Sequence, residues 1–307
     1  MKNLRYSRSL LLAVITFTFF HGVLIMPAYA AIEKKLSIKG DNYPIPAILT
    51  LPDEKKTRPF PIVVMLHGTA SQKDEVGDLY KRLASKLANK NIASIRFDFA
   101  GSGESSVDYR LYNLEGAVND VLSIYSFIEQ HKGIESQSIH LLGFSQGGLI
   151  AQLAAVQPKL PVGSIVTWSA VAGDGIGSFK PFFDQYEQEA VDNGFAAIQY
   201  PWLEKPLNFS HTWFKQIRHN NSLTNMNTYK GALLAIAGDA DKTVSWQNSV
   251  ALVKGAQQAK ASLYLIKNAN HIFNVLAKDG SKLNSDQGIT QELLNITTYY
   301  FTEQTAH

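Results

Sequence analysis

The chain has no cysteine among its 307 residues. Disulfide staples are therefore excluded, and so are thiol nucleophiles and thiolate metal ligands. Stability has to come from a packed core. An excess of charge is missing too. The sequence carries 29 Lys and Arg against 26 Asp and Glu, but Lys2, Arg5 and Arg8 fall in the first thirty residues, where no acid stands. Beyond residue 30 the balance is 26 against 26. A neutral surface without clustered Lys and Arg offers no footprint for a nucleic-acid backbone, so no nucleic-acid partner is expected. Low-complexity tracts, internal repeats and linker-like stretches are also lacking. No His and carboxylate cluster has ligand spacing, so no metal and no other cofactor is expected.

What is present begins with an apolar run. Residues 10–26 are almost entirely apolar, interrupted by His21 and Gly22 and preceded by the three basic residues. Pro27 ends a helix there, and Ala28-Tyr29-Ala30 has the small-x-small form of a cleavage site. Residues 1–30 therefore read as an export signal, which implies a periplasmic or secreted protein with no stable membrane anchor after cleavage. The alternative is an uncleaved N-terminal anchor, although the run is just under the length of a spanning helix. About 277 residues remain, enough for one large core that buries roughly three quarters of the unfolded surface.

The pattern of the remainder is that of an α/β protein. Residues 34–39 and 46–51 alternate apolar and polar around Gly40-Asp41-Asn42, a hairpin signal. Residues 62–66 form a short continuous apolar run, as expected of a strand buried on both faces. Strands are expected again at 92–97, 139–144, 164–168, 232–237 and 262–266. Helices are expected at 79–87, 114–128, 149–156, 246–253 and 291–301, from apolar positions three and four residues apart. The alternation predicts a mostly parallel sheet with helices on both faces. It is broken at residues 171–228, which hold nine of the chain's Phe, Trp and Tyr residues between Phe182 and Phe214 and show no clean strand period. This segment reads as a cap over the carboxyl ends of the strands, where open α/β sheets bind ligands. The alternative is a set of surface helices burying their aromatics on the core. The division expected is core at 31–170, cap at 171–228 and core again at 229–307.

The chemistry concentrates at Gly143-Phe144-Ser145-Gln146-Gly147-Gly148. It follows one strand and opens onto a helix, the setting in which G-x-S-x-G forms a nucleophile elbow. A serine hydroxyl is a weak nucleophile and needs a base. His271 follows the last strand, 262–266, and so lies at the same sheet edge as Ser145. An acid has to orient that base. Asp239 and Asp241 both follow the strand at 232–237. Asp241 is preferred, because Asp239 sits tight against the strand end and is better placed to shape the turn. The chain order is then Ser145, Asp241, His271, that of the α/β-hydrolases. Two backbone N–H groups are needed for an oxyanion. Gln146, after the nucleophile, supplies one, and Thr69, in the loop after the first core strand, is the likelier second. His67, at the start of that loop, reads as a shaping residue. Trp202 and Trp213 are candidates for contact with the substrate. The glycines of 96–105 suggest a tight turn and lack the pattern of a phosphate loop.

Four landmarks in this order, His67-Gly68, Asp98-Phe99-Ala100-Gly101-Ser102-Gly103, Gly143 to Gly147, and Asp241 with His271, resemble the α/β-hydrolase superfamily. Within it, residues 113–158 are similar to the cinnamoyl and feruloyl esterases and to the neighbouring serine aminopeptidase-like and monoglyceride-lipase-like hydrolases. Gln146 after the nucleophile is a cinnamoyl-esterase-like feature. The resemblance implies hydrolysis of a small-molecule ester through an acyl-enzyme, with an insertion between Trp168 and Ala232 shaping the acyl pocket. A peptidase or acyltransferase with the same triad stays open. So does a binding protein that keeps the fold without turnover.

Overall fold

The computed structural model describes residues 31–53, 59–280 and 282–306. The expected export signal at 1–30, with its cleavage site, lies outside the described residues.

Among the described residues there are ten strands and eight α-helices. The first two strands, β1 (Ile32–Lys39) and β2 (Pro44–Leu51), pair antiparallel around the turn at Gly40. Next come β3 (Phe60–Leu66), α1 (Leu79–Ala88), β4 (Ala93–Phe97), α2 (Leu114–Gln130), β5 (Ile134–Phe144), α3 (Gln146–Ala155) and β6 (Val162–Trp168). An inserted segment follows, with α4 (Lys180–Asn193), β7 (Phe195–Ile198), β8 (Leu207–Ser210), α5 (His211–Arg218) and α6 (Ser222–Met226). The chain closes with β9 (Ala232–Gly238), α7 (Gln247–Gly255), β10 (Lys260–Ile266) and α8 (Gly288–Gln304).

The main sheet has eight strands in the order β1-β2-β4-β3-β5-β6-β9-β10. The six strands from β4 to β10 run parallel, and within the edge hairpin only β2 is antiparallel to them. This is the expected fold class, a mostly parallel sheet covered on both faces. Burial shows why continuous apolar runs make these strands. Ile62, Val64 and Leu66 of β3 face one core with Ile124 of α2, Leu149 of α3 and Leu252 of α7. Val63 and Met65 face the other core with Leu83 of α1 and Leu293 and Phe301 of α8.

The chain passes from β3 to β4 on one side, then returns to place β5 on the other. The strand order therefore reverses between β3 and β5. At such a switch point the loops leave in opposite directions and open a crevice at the carboxyl ends of the strands.

The inserted segment differs from its sequence reading in two respects. First, β7 and β8 pair as a small antiparallel hairpin, Phe195 opposite Ser210. Four residues are too few for a period of two to be legible. Second, much of its aromatic content packs on itself. Phe182, Phe209 and Phe214 stand 5.0–5.3 Å from the Trp213 ring, centroid to centroid. Phe209 also meets Tyr109 at 4.8 Å, which joins this cluster to the core beneath.

Candidate active site

Ser145 stands between β5 and α3 with φ 53 and ψ −118, outside the regions an L-residue ordinarily occupies. Its neighbours hold it there. Ser145 N–H donates to Trp168 O at 2.9 Å, and Ser145 O accepts from Gly148 and Val171 N–H, both at 3.1 Å. The glycines are required by contact. A Cβ on Gly147 would lie 2.0 Å from Leu66 O, and one on Gly143 would lie 2.4 Å from Gly147 O. Backbone thus packs on backbone, and the turn lifts the serine side chain out of the helix start.

His271 belongs to the loop after β10, and Asp241 to the loop after β9. The two loops are stitched together. Asp239 Oδ1 accepts Asn268 N–H at 2.6 Å, and Ala240 N–H donates to Ala269 O at 3.1 Å. Across this seam, Asp241 Oδ2 lies 2.8 Å from His271 Nδ1, and His271 Nε2 lies 3.1 Å from Ser145 Oγ. The imidazole also packs on Phe144, ring centroids 5.1 Å apart. The Asp241 side chain is fully buried. Burial pushes its carboxyl up, but the hydrogen bond and charge of His271 and the N–H groups of Val244 and Thr243 outweigh that and hold it below its ordinary value. An ionised carboxylate only accepts, so Nδ1 carries the ring proton. Nε2 is then free to accept the Ser145 hydroxyl proton.

On the other side of Ser145 the loop after β3 approaches. Thr69 Oγ1 donates to Gln146 Oε1 at 2.5 Å, linking the two expected oxyanion donors through their side chains. Thr69 N–H has no acceptor among the described residues. Gln146 is the first residue of α3, where N–H groups have no helical carbonyl to reach. His67 is buried and accepts Phe99 N–H at Nε2, 3.2 Å away, so its proton is on Nδ1 and is given to Gly68 O at 2.8 Å. Burial lowers the pKa of this histidine, which fits a neutral shaping residue.

The two tryptophans separate. Trp202 is 67% exposed, and its Nε1–H donates to Ala70 O at 2.9 Å, directly after Thr69. Trp213 is 1% exposed inside the aromatic cluster of the inserted segment. Trp213 is therefore withdrawn as a substrate contact, because neighbouring rings occupy the faces a substrate would need.

Three of the buried charged groups that escaped the sequence reading bear on the loop after β3. Asp98 is fully buried. Its carboxylate accepts Lys73 N–H at 2.7 Å, Lys73 Nζ at 2.6 Å and Glu104 N–H at 2.9 Å. The glycine-rich turn at 98–105 therefore wraps a carboxylate, a charge that would repel phosphate. Arg96, 1% exposed, donates to Asp74 at 2.6 Å and to Glu33 at 2.9 Å. Glu75, also buried, accepts Gly68 N–H at 2.6 Å. All three hold the loop that carries Thr69. A charged residue inside the apolar run of β4 was the available signal for Arg96, another directly after it for Asp98, and Glu75 had none.

The fold is that of the α/β-hydrolases, with a serine in the sharp turn between β5 and α3. Residues 57–191 match the model of a hydrolase family described as serine aminopeptidase, S33. That match takes in 135 of the 307 residues and is a similarity to serine hydrolases of esterase- or peptidase-like type. The chain is 26% identical over 160 residues to the uncharacterized peptidase YtmA of Bacillus subtilis, a match covering 51% of this chain and 54% of that protein. The chain thus spans about half the length of that relative. Among solved structures, Est1E from Butyrivibrio proteoclasticus with bound ferulic acid superposes with a TM-score of 0.68 at 17% identity, covering 89% of this chain and all of the other. An acylaminoacyl peptidase from Pyrococcus horikoshii gives 0.62 at 14% identity, covering 90% of this chain and 42% of that one. Likeness at such identities speaks for the fold.

Proposed function

We propose that the chain hydrolyses carboxylic esters of small organic molecules through an acyl-enzyme on Ser145. The observation that carries this reading is the hydrogen-bonded line from Ser145 Oγ to His271 Nε2 and from His271 Nδ1 to Asp241 Oδ2, at 3.1 and 2.8 Å. Ser145 Oγ attacks the ester carbonyl carbon while His271 Nε2 takes its proton. The carbonyl oxygen, now negative, is held by the N–H groups of Thr69 and Gln146. The tetrahedral intermediate collapses, and the alcohol leaves with the proton from Nε2. Water then attacks the acyl carbon with His271 again as base, and the acid departs from Ser145. Asp241 stays ionised throughout and stabilises the imidazolium.

The segment 171–228 is the cap of this reading. Its exposed Trp202, beside the oxyanion loop and packed against Tyr200 with ring centroids 5.1 Å apart and planes tilted by 45°, offers an aromatic wall to the acyl or alcohol group. The likeness to a ferulate-binding esterase makes hydroxycinnamate esters worth testing. The basic and apolar residues of 1–30 support export to the periplasm or beyond.

A second reading, peptidase activity with the same three residues, is favoured by the serine aminopeptidase family match and by the likeness to YtmA. The triad does not name the leaving group. A panel of p-nitrophenyl acyl esters, hydroxycinnamate methyl esters and aminoacyl anilides, run on the purified chain, separates the two. Turnover of the esters with inert anilides supports the esterase. The reverse result overturns it.

A further inference from the structure

The loop after β3 contains a buried acid that the mechanism above does not use. Glu75 is 3% exposed. Its Oε1 accepts Gly68 N–H at 2.6 Å and its Oε2 accepts Val76 N–H at 2.8 Å. The neighbouring cation, Lys73, is committed to Asp98 and Glu104. The backbone of Glu75 stands at φ 61 and ψ 169, a region that only glycine enters freely. Such a conformation persists where the surroundings over-determine it, and it concentrates at functional sites. A desolvated carboxylate on a strained backbone is costly on both counts, so its contacts have to matter.

Those contacts lead to the nucleophile. A Cβ on Gly68 would lie 3.3 Å from Ser145 Cβ and 3.4 Å from Glu75 Oε1, so Gly68 fills the space between acid and serine. Gly68 is held at both polar groups, its N–H by Glu75 and its O by the Nδ1–H of His67 at 2.8 Å. The second bond sets the plane of the Gly68–Thr69 peptide. Carbonyl and N–H point in opposite directions across a trans peptide. With Gly68 O turned to His67, Thr69 N–H has to face away from that ring, and no acceptor in the described chain takes it.

We propose that Glu75 is a positioning residue for the oxyanion donor, clamping Gly68 so that the Thr69 N–H is presented to the substrate carbonyl oxygen before substrate arrives. The proposal rests on the serine-hydrolase reading of Ser145. It assigns Glu75 no contact with substrate. Its carboxylate acts through Gly68. A donor aimed in advance stabilises the transition state without tightening the ground state, so its loss appears in kcat.

The test uses the whole purified chain with Glu75→Gln, Glu75→Ala and Glu75→Gly. Four quantities are read: kcat and KM on p-nitrophenyl acetate, the rate constant for fluorophosphonate labelling of Ser145, and Tm. Glycine is the informative variant, because it removes the clamp and at the same time suits the backbone, so folding is not at risk. Glu75→Gly is expected to lower kcat and the labelling rate by about 100-fold, with KM within about threefold and Tm not below that of Glu75→Ala. Glu75→Gln keeps one acceptor for Gly68 N–H and is expected to recover activity to within about tenfold of the parent chain. A Glu75→Gly chain that keeps kcat and labelling within about threefold, or one whose whole defect is in KM, would overturn the assignment. If the parent chain neither labels on Ser145 nor turns over any ester, the serine-hydrolase reading itself fails. That outcome is seen in the parent alone and is thus distinct from a failure of the Glu75 proposal.

Discussion

Asp241 and Asp239 stand two residues apart, yet they serve different atoms of the same neighbouring loop. Asp241 Oδ2 lies 2.8 Å from His271 Nδ1, whereas Asp239 Oδ1 accepts the backbone N–H of Asn268 at 2.6 Å. One orients a ring and the other anchors the loop that bears it. Asp241→Asn replaces an acceptor with an amide that can donate to Nδ1, which favours the wrong tautomer. A fall in kcat of about four orders of magnitude is expected. Asp239→Asn keeps an acceptor for Asn268 N–H and is expected to cost less than about tenfold. Steady-state kinetics on both variants decides. A larger loss in Asp239→Asn would transfer the acid's role.

Ser145 and His271 are expected to behave as a unit. A fluorophosphonate probe should label the chain at Ser145, and Ser145→Ala should not label. His271→Ala should lower kcat by roughly four to six orders of magnitude, as when any member of a cooperative set is removed. Mass spectrometry of the labelled peptide reads the first result. Wild-type labelling in Ser145→Ala would remove the serine from the mechanism.

The arrangement of the candidate site was legible in the sequence because its signals are local. Gly143, Ser145 and Gly147 fall in one turn, and Asp241 and His271 each directly follow an apolar strand. A parallel sheet sends every such loop to one edge, so sequence neighbours of strand ends become spatial neighbours. Glu75 was not legible. It sits among Ser71, Gln72, Lys73 and Asp74, a run that reads as solvated loop, and its burial depends on Gly68 seven residues earlier. The Arg96 network was hidden for the same reason, since Glu33, Thr50 and Asp74 come from three separate places. The aromatic insertion was legible as an insertion only. Composition does not distinguish rings that face a ligand from rings that face one another.

That distinction makes a paired prediction for Trp202 and Trp213. Trp213 is enclosed by aromatic rings, and Trp213→Ala is expected to cost about 3–5 kcal/mol of stability by opening a large cavity. Trp202 is exposed and its indole N–H donates to Ala70 O, so Trp202→Ala is expected to cost less than about 1 kcal/mol. Trp202→Ala should instead change the ranking of acyl chains while acetate esters still turn over. Urea unfolding and an acyl-chain series measure the two effects. If Trp202→Ala leaves the ranking unchanged, Trp202 does not line the acyl site.

Two buried groups away from the site give the stability an opposed pH dependence. Burial pushes His140 down from 6.5 to about 4, with its Nδ1 2.7 Å from Ser164 Oγ. The unfolded chain then binds a proton that the folded chain refuses between those values. The contribution of His140 is full above pH 6.5 and is lost as pH falls toward 4, about 3 kcal/mol in all. Asp120 has the opposite sign. Burial raises its carboxyl from 3.8 to about 7, against the hydrogen bond from Tyr43, which donates at 2.9 Å. Here the folded chain holds the proton, so stability is lost as pH rises from 3.8 through 7, by about 4 kcal/mol. Asp120→Asn keeps a partner for the Tyr43 hydroxyl and has no charge to bury. Its gain over the parent chain should be largest at pH 8 and should vanish near pH 4. His140→Gln, in contrast, should be most damaging at pH 7 and should converge on the parent chain toward pH 4. Urea midpoints of the three proteins at pH 4, 5.5, 7 and 8 test both signs. Stability differences that do not vary with pH would show that neither group titrates as its burial requires.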